Sequence, residues 1–218
     1  MKNIIVEILK KQKIIVIIRG IKKDKVAETV KLLCSNSINL IEFTFLHNSS
    51  NDLKENFEII EIAKKAVPEA IIGAGTVLSK KEVKTALKAG AEFIVMPDTN
   101  SKIIKFAKKK GLTVIPGAFT PSEIIKAYNA GSDAVKIFPC DILDASYIKA
   151  LHGPLGHIPK IAVGGISEKN AAEFIQAGCI GVGVGGKLLN IKEEINNGNF
   201  SDVENRIKSL LKALNIGE

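Results

Sequence analysis

The sequence predicts an α/β protein, a single (β/α)8 TIM barrel with a short N-terminal helix. Short apolar, β-branched runs recur roughly every 20–30 residues with helical segments between them, as repeated βα units around a parallel sheet require. The chain has 218 residues, which accommodate eight such units. The predicted strands are Ile14–Ile18, Leu40–Phe45, Ala70–Ala74, Phe93–Met96, Leu112–Ile115, Ala134–Phe138, Ile161–Val163 and Ile180–Val184.

Capping residues mark several of the intervening helices. Ser79 with Glu82, and Thr120 with Glu123, have the spacing of a capping box, and Pro121 suits the first helical position. A doubly wound open sheet is the alternative architecture, because strand order cannot be read from one sequence, but no dinucleotide-binding fingerprint supports it. We expect one barrel domain over residues 1–218. Glycines stand where helices should end before the next strand, at Gly90, Gly111, Gly131 and Gly178.

The composition limits the classes of function. The formal charge of +8 makes a nucleic-acid-binding protein one candidate. However, the lysines are scattered over many predicted helices, Trp is absent and no aromatic-plus-basic platform stands out, so a solvated surface is favoured. Charged residues interrupt the apolar N-terminus, which predicts neither a signal peptide nor a membrane span. The three cysteines and three histidines lack metal-ligand spacing, and separated free thiols indicate a cytoplasmic protein.

One lysine falls inside a predicted strand. Because side chains alternate along a strand, Lys136 should face the barrel interior with Phe138, while Val135 and Ile137 face the helices. Burial disfavours the ammonium form and lowers the pKa of the amine, which leaves a nucleophile able to attack a carbonyl. The alternative is a lysine near the barrel end that reaches solvent or a carboxylate.

The second predicted strand carries a carboxylate. Leu40, Glu42 and Thr44 should share the interior face, since the apolar residues between them belong against the helices. Glu42 could serve as the counter-ion of Lys136, or it could move protons through water during imine chemistry. Its charge would favour the charged lysine and burial would favour the neutral amine, and the sequence does not fix that balance.

Residues at other strand ends predict a site for an anionic ligand. Arg19 offers a planar fork for a carboxylate or phosphate, or pairs with a nearby acid. Thr76 could hold a carboxylate or cap a helix, and Pro97 could line the substrate pocket with Phe138 or simply end its strand. In this fold the last two βα loops commonly bind phosphate through backbone N–H groups, although glycines there also serve turns. The expected phosphate-binding residues are Gly164, Gly165, Gly185 and Gly186.

Taken together, these residues resemble the 2-keto-3-deoxy-6-phosphogluconate (KDPG)/4-hydroxy-2-oxoglutarate aldolase family. The similarity extends over nearly the whole chain, and it is specific because all the motifs occur in order along eight βα units. The segments that carry it are Ile17–Gly20, Ile41–Thr44, Ile72–Val77, Ile115–Gly117, Thr120–Glu123, Val135–Pro139 and Gly164–Ile166.

The resemblance implies a class I aldolase in which Lys136 forms a Schiff base with pyruvate and Glu42 is the general acid/base. It also implies that Thr76 and an arginine hold the pyruvate carboxylate. Some relatives carry that arginine where this chain has Leu46, and others carry it at the end of the first strand. We therefore assign the carboxylate contact to Arg19.

The family also implies no metal, no organic cofactor, a homotrimer, and a keto acid and an aldehyde phosphate as the small-molecule partners, without nucleic acid or membrane. The expected reaction cleaves a 2-keto-3-deoxy-6-phospho-sugar acid to pyruvate and glyceraldehyde 3-phosphate. Val163 stands where many members have threonine, and Gly186 where many have serine. The segment Ala162–Gly165 is similar to the 6-phosphogalactonate branch.

Two alternatives share the glycine loops. One is a phosphate-binding barrel isomerase, epimerase or decarboxylase, in which Lys136 acts only as a charge. The other is a non-catalytic barrel that binds sugar phosphates.

Overall fold

The computed structural model describes residues 3–49, 52–185 and 191–216. The phosphate contact expected at Gly186 therefore lies outside the described residues. Within these ranges the strands are β1 (Ile14–Ile18), β2 (Leu40–Thr44), β3 (Ile71–Gly75), β4 (Phe93–Val95), β5 (Thr113–Ile115), β6 (Gly117–Ala118), β7 (Val135–Ile137), β8 (Lys160–Val163) and β9 (Gly181–Val184).

Helices alternate with these strands, and a short helix precedes β1, as the sequence predicts. They are α1 (Ile4–Gln12), α2 (Lys23–Ser35), α3 (Asp52–Ala66), α4 (Lys80–Lys88), α5 (Ser101–Lys109), α6 (Pro121–Asn129), α7 (Ala145–Leu155), α8 (Ala171–Gln176), α9 (Ile191–Asn196) and α10 (Phe200–Ala213). Both predicted capping boxes are present, at the starts of α4 and α6. No helix in the described ranges is long and apolar enough to cross a membrane.

All strand pairs are parallel, and the sheet order is β5-β4-β3-β2-β1-β9-β8-β7-β6. The two ends of this sheet, β5 and β6, are consecutive in the chain and flank Pro116, which has no N–H for the ladder. The Pro116 carbonyl accepts a hydrogen bond from the Lys136 amide at 2.9 Å, and the Ile115 carbonyl accepts one from Met96. Together β5 and β6 occupy one of eight strand positions around a closed barrel, and we call each position a stave. The open-sheet alternative is therefore wrong.

Alternation along the strands separates two apolar layers. Leu40, Phe93 and Ile161 belong to the barrel interior, whereas Ile41 and Phe43 pack in the layer between strands and helices. Helix α1 contributes to the interior layer with two buried residues, Ile5 and Leu9. A Cβ at Gly181 would lie 2.7 Å from Leu9 Cδ1, so a glycine on β9 makes space for this helix.

A polar cluster fastens α1 to the barrel. The Asp133 carboxylate accepts hydrogen bonds from Asn3 Nδ2 at 2.8 Å, from the Val114 amide at 2.8 Å and from Lys108 Nζ at 2.6 Å. Asn3 also accepts from Ile5 N as the N-cap of α1. One carboxylate therefore joins α1, α5 and β5.

Replacing Asp133 with Ala should lower the free energy of unfolding by about 2 kcal/mol, because three donors lose a largely buried acceptor. Urea unfolding measures this loss. Glu168→Ala, at an exposed position, is the control and should change stability by less than about 0.5 kcal/mol. Equal stability of the two variants would contradict the anchoring role of Asp133.

Candidate active site

A cavity of about 320 Å³ opens where the barrel strands end. Every described residue that is assigned to the site from the sequence lines this cavity, whereas Gly186 lies outside the described residues. The lining residues are Ile17, Arg19, Glu42, Thr76, Pro97, Lys136, Phe138, Val163, Gly164, Gly165, Ile166, Gly183 and Gly185.

The two ionisable groups at the centre come from facing staves. Glu42 lies on β2 and Lys136 on β7, which are the second and sixth staves when β5 and β6 count as one. Strands four positions apart in a ring of eight are opposite each other. Since both side chains reach the same interior cavity, they point towards each other across the barrel axis.

Lys136 is buried, with 8% of its surface exposed, and its Nζ lies 4.4 Å from the centroid of the Phe138 ring. Burial lowers the pKa of the amine, the negative charge of Glu42 raises it, and the positive charge of Arg19 lowers it again. The net direction is down. The balance that the sequence left open is therefore in favour of desolvation, which shifts the amine towards its neutral form.

Glu42 is 2% exposed, and burial raises the pKa of its carboxyl group. The charge of Lys136, a hydrogen bond from the Thr44 hydroxyl at 3.4 Å and the charge of Arg19 oppose that rise without reversing it. Both central groups are thus shifted towards their neutral forms. A carboxyl group with a raised pKa is suited to act as an acid and as a base in turn.

The position of the Glu42 carboxylate depends on a glycine that sequence reasoning did not single out. A Cβ at Gly75 would lie 1.7 Å from Glu42 Oε1, so the carboxylate rests directly against the Gly75 backbone. The signal in the sequence is the alternation of Gly73 and Gly75 along one strand. Gly73 leaves comparable room for the Phe93 ring, at 2.3 Å.

Arg19 and Thr76 form a polar corner of the cavity. Arg19 Nη2 donates to Thr76 Oγ1 at 3.3 Å, and in the described ranges Arg19 forms no salt bridge. Thr76 has φ of 56°, a left-handed conformation that is unusual for a β-branched residue. Such backbone strain is typical of residues that are held in place for a ligand. An arginine that forms no salt bridge is available to bind the carboxylate of a ligand.

The glycine-rich loop after β8 lies opposite Thr76, because β8 and β3 are four strand positions apart in the ring. Gly164 and Gly165 have φ of 109° and 65°, which glycine adopts readily. A Cβ on Gly164 would lie 2.8 Å from the Cys140 amide, and one on Gly165 would lie 2.7 Å from Asp141 Cβ. These glycines therefore allow the β8 loop to pack against the β7 loop, besides leaving backbone open to the cavity.

Glycines on β9 shape the apolar side of the cavity. A Cβ at Gly183 would approach Val163 Cγ2 to 2.7 Å and Ile17 Cδ1 to 3.0 Å. Val163 and Ile17, neither assigned from the sequence, therefore extend into the space that a side chain would fill. Residues 181, 183 and 185 share one face of the strand, and this glycine alternation is the signal that could have identified the wall.

Other polar candidates lie outside the centre. His47 is exposed, lies 3.2 Å from Glu82 and does not line the cavity. Burial raises the pKa of the Cys140 thiol to about 11, which argues against a thiolate nucleophile. Within the described part of the chain, no group of three acidic, histidine or cysteine side chains could hold a metal ion.

The chain is similar to known aldolases over most of its length. The family model for KDPG and KHG aldolase matches residues 5–206. The 2-dehydro-3-deoxy-6-phosphogalactonate aldolase of Escherichia coli is 34% identical over 183 residues, which cover 84% of this chain and 87% of the relative. The 2-dehydro-3-deoxy-phosphogluconate aldolase of Haemophilus influenzae is 29% identical over 208 residues, which cover 95% of each. A solved structure described as native KDPGal has a TM-score of 0.82 and 31% identity, and covers 93% of this chain and 94% of that one.

Gly75→Ala should lower the free energy of unfolding by about 2 kcal/mol, because the added methyl group overlaps the Glu42 carboxylate. In a Glu42→Ala background the same change should lower it by less than about 1 kcal/mol, since the obstructing carboxylate is gone. Urea unfolding of the four proteins measures both effects. The same loss in both backgrounds would mean that Gly75 is required for some other reason.

Proposed function

Because this chain belongs to the KDPG and KHG aldolase family, we propose that it is a class I aldolase in which Lys136 forms the Schiff base. The observation that carries this proposal is the pair of facing, buried groups, Lys136 and Glu42, whose pKa values are both shifted towards the neutral forms. A neutral amine can add to a ketone, and a carboxyl group that exchanges its proton can serve the later steps.

The first half of the reaction joins the keto acid to the enzyme. Lys136 Nζ adds to the C2 carbonyl, the Glu42 carboxyl group supplies a proton, and water leaves as the protonated imine forms, which leaves Glu42 as a carboxylate. The positively charged nitrogen is then an electron sink for the neighbouring C3–C4 bond. The Phe138 ring, with its centroid 4.4 Å from Nζ, offers a π face that stabilises positive charge at this nitrogen.

The second half breaks the carbon–carbon bond. The Glu42 carboxylate accepts the proton of the C4 hydroxyl, the C3–C4 electron pair moves to the imine nitrogen, and the aldehyde leaves. Glu42 then returns the proton to C3 of the enamine, and water hydrolyses the imine to release pyruvate and free Lys136. The raised pKa of Glu42 suits a group that keeps the proton between these two steps.

We assign the two anionic ends of the substrate to different parts of the cavity. Arg19 and Thr76 hold the carboxylate, because they are already hydrogen-bonded to each other and Arg19 forms no salt bridge in the described ranges. The phosphate binds to backbone N–H groups of Gly164, Gly165 and Gly185. Pro97 and Phe138 form the wall beside the reacting carbons.

For the substrate, we propose the 2-keto-3-deoxy-6-phospho acid of galactonate rather than that of gluconate. The 34% identical relative is named for the galactonate acid. Val163 lines the cavity where a hydroxyl-bearing threonine would offer a hydrogen bond to a sugar hydroxyl. The products are pyruvate and glyceraldehyde 3-phosphate.

The remaining proposals concern the enzyme's setting. We propose a homotrimer, which the family resemblance implies, with no nucleic-acid or membrane partner. A cytoplasmic location agrees with three free cysteines, Cys34, Cys140 and Cys179. We also propose a single barrel domain over residues 1–218 and a reaction that needs no metal or organic cofactor.

Borohydride reduction in the presence of pyruvate should attach a stable three-carbon adduct to Lys136, because reduction traps the imine as a secondary amine. Peptide mass spectrometry locates the adduct. Lys160, which is also buried but donates to the carbonyls of Leu155 and Ile158 on the helix side, is the internal control and should stay unmodified. Lys136→Met should lower kcat by about 10³-fold or more.

The same preparation should release pyruvate faster from the galactonate than from the gluconate phospho-acid, with or without chelator. A folded wild-type protein that gives no adduct, or a Lys136→Met variant that keeps its activity, would overturn the Schiff-base proposal. Turnover that depends on a metal and gives no adduct would favour an isomerase, epimerase or decarboxylase.

A further inference from the structure

Three lysines converge on one aromatic ring in the outer helical layer. Nζ of Lys80, Lys84 and Lys110 lies 5.5, 6.0 and 5.9 Å, respectively, from the centroid of the Phe106 ring. We call these four residues the Phe106 cluster. Each nitrogen lies within 6.0 Å of the same point, so any two are separated by no more than twice that distance. None of the four residues lines the barrel cavity.

The two lysines on α4 stand at positions that oppose helix stability, whereas Lys110 is the C-cap of α5, where a cation is favoured. Lys80 is the first residue of α4, where the positive end of the helix dipole disfavours a cation. Lys80 and Lys84 are four residues apart, so two like charges occupy neighbouring positions on the helix surface. The Phe106 ring offsets part of this repulsion through its negatively polarised face.

Some helical lysines elsewhere on the surface are paired with acids at the same spacing. Lys65 lies 3.3 Å from Glu61, and Lys208 lies 2.7 Å from Glu204, each at i,i+4. Across the described residues, by contrast, no ion pair involves any lysine of the Phe106 cluster. The positive charge of the cluster is therefore not neutralised by the protein itself.

We propose that the Phe106 cluster binds an oligophosphate, that is, an anion with two or more linked phosphoryl groups. Lysines present compact charges on flexible stems, and several of them can follow a chain of phosphates. A planar carboxylate would be better matched by the fork of an arginine, which the cluster lacks. The net charge of +8 also favours the approach of a multiply charged anion.

This site is independent of the aldolase reaction, and its ligand has two possible sources. An inorganic phosphate chain would use the ammonium groups alone, whereas a nucleoside triphosphate would add contacts from its base or ribose. Inorganic tripolyphosphate and ATP are therefore the two probes, with orthophosphate at equal ionic strength as the reference.

Calorimetric titration at low salt should give saturable binding of tripolyphosphate to the wild-type protein. The triple variant Lys80→Gln, Lys84→Gln, Lys110→Gln should bind it at least about tenfold more weakly, because three charged contacts are lost. The matched control Lys31→Gln, Lys149→Gln, Lys212→Gln removes the same charge from exposed positions on other helices. The control should weaken binding of tripolyphosphate less than about threefold. Its three lysines do not contact the ligand, and their attraction at a distance is partly screened by salt.

Any binding of the probe in the barrel cavity is common to both triple variants, so the difference between them reports on the Phe106 cluster. Equal affinities for tripolyphosphate and ATP would support recognition of the phosphate chain alone, and tighter ATP binding would support a nucleotide. Equal losses in the two triple variants, binding no tighter than that of orthophosphate, or the absence of saturable binding would each overturn the proposal.

Discussion

The burial of an amine and a carboxyl group on facing staves is the constraint on which the site depends. Lys136 and Glu42 are too well enclosed for water to solvate them fully. Charging both groups in this apolar barrel therefore costs free energy. Desolvation lowers the pKa of the amine and raises that of the carboxyl group. In the proposed mechanism, the two groups on facing sides of one cavity are the nucleophile and the proton carrier.

Space around this pair comes from residues without side chains. Gly75 lets the Glu42 carboxylate rest on the backbone of β3, and Gly183 admits Val163 and Ile17 into the interior. At the N-terminal end of the barrel, Gly181 makes room for Leu9 of α1. The barrel is thus filled by side chains at one end and opened by their absence at the other, which is why a cavity exists beside a packed core.

Strand alternation was enough to predict the most important parts of the site. It assigned Glu42 and Lys136 to the interior and Phe43 and Ile137 to the helix side, as the structure confirms. It could not predict the interruption of the fifth stave at Pro116, because an interrupted ladder depends on neighbouring strands. Strand β3 is Ile71–Gly75 in the structure, one residue later than the predicted Ala70–Ala74. The end of this strand was missed because Gly75 carries no hydrophobic signal. The balance between burial and charge at Lys136, and the contact that requires Gly75, arise only from three-dimensional packing.

We infer that the pKa of Lys136 lies below that of an ordinary lysine, because burial outweighs the charge of Glu42. An NMR titration of the protein with 13C-labelled lysine side chains, with the Lys136 signal identified by its loss in Lys136→Met, measures this pKa directly. We expect a value clearly below the usual lysine pKa of about 10.4, and a lower one still in Glu42→Gln, where the charge that raises it is removed. A pKa at or above the usual lysine value would contradict the role of Lys136 as the amine that forms the Schiff base.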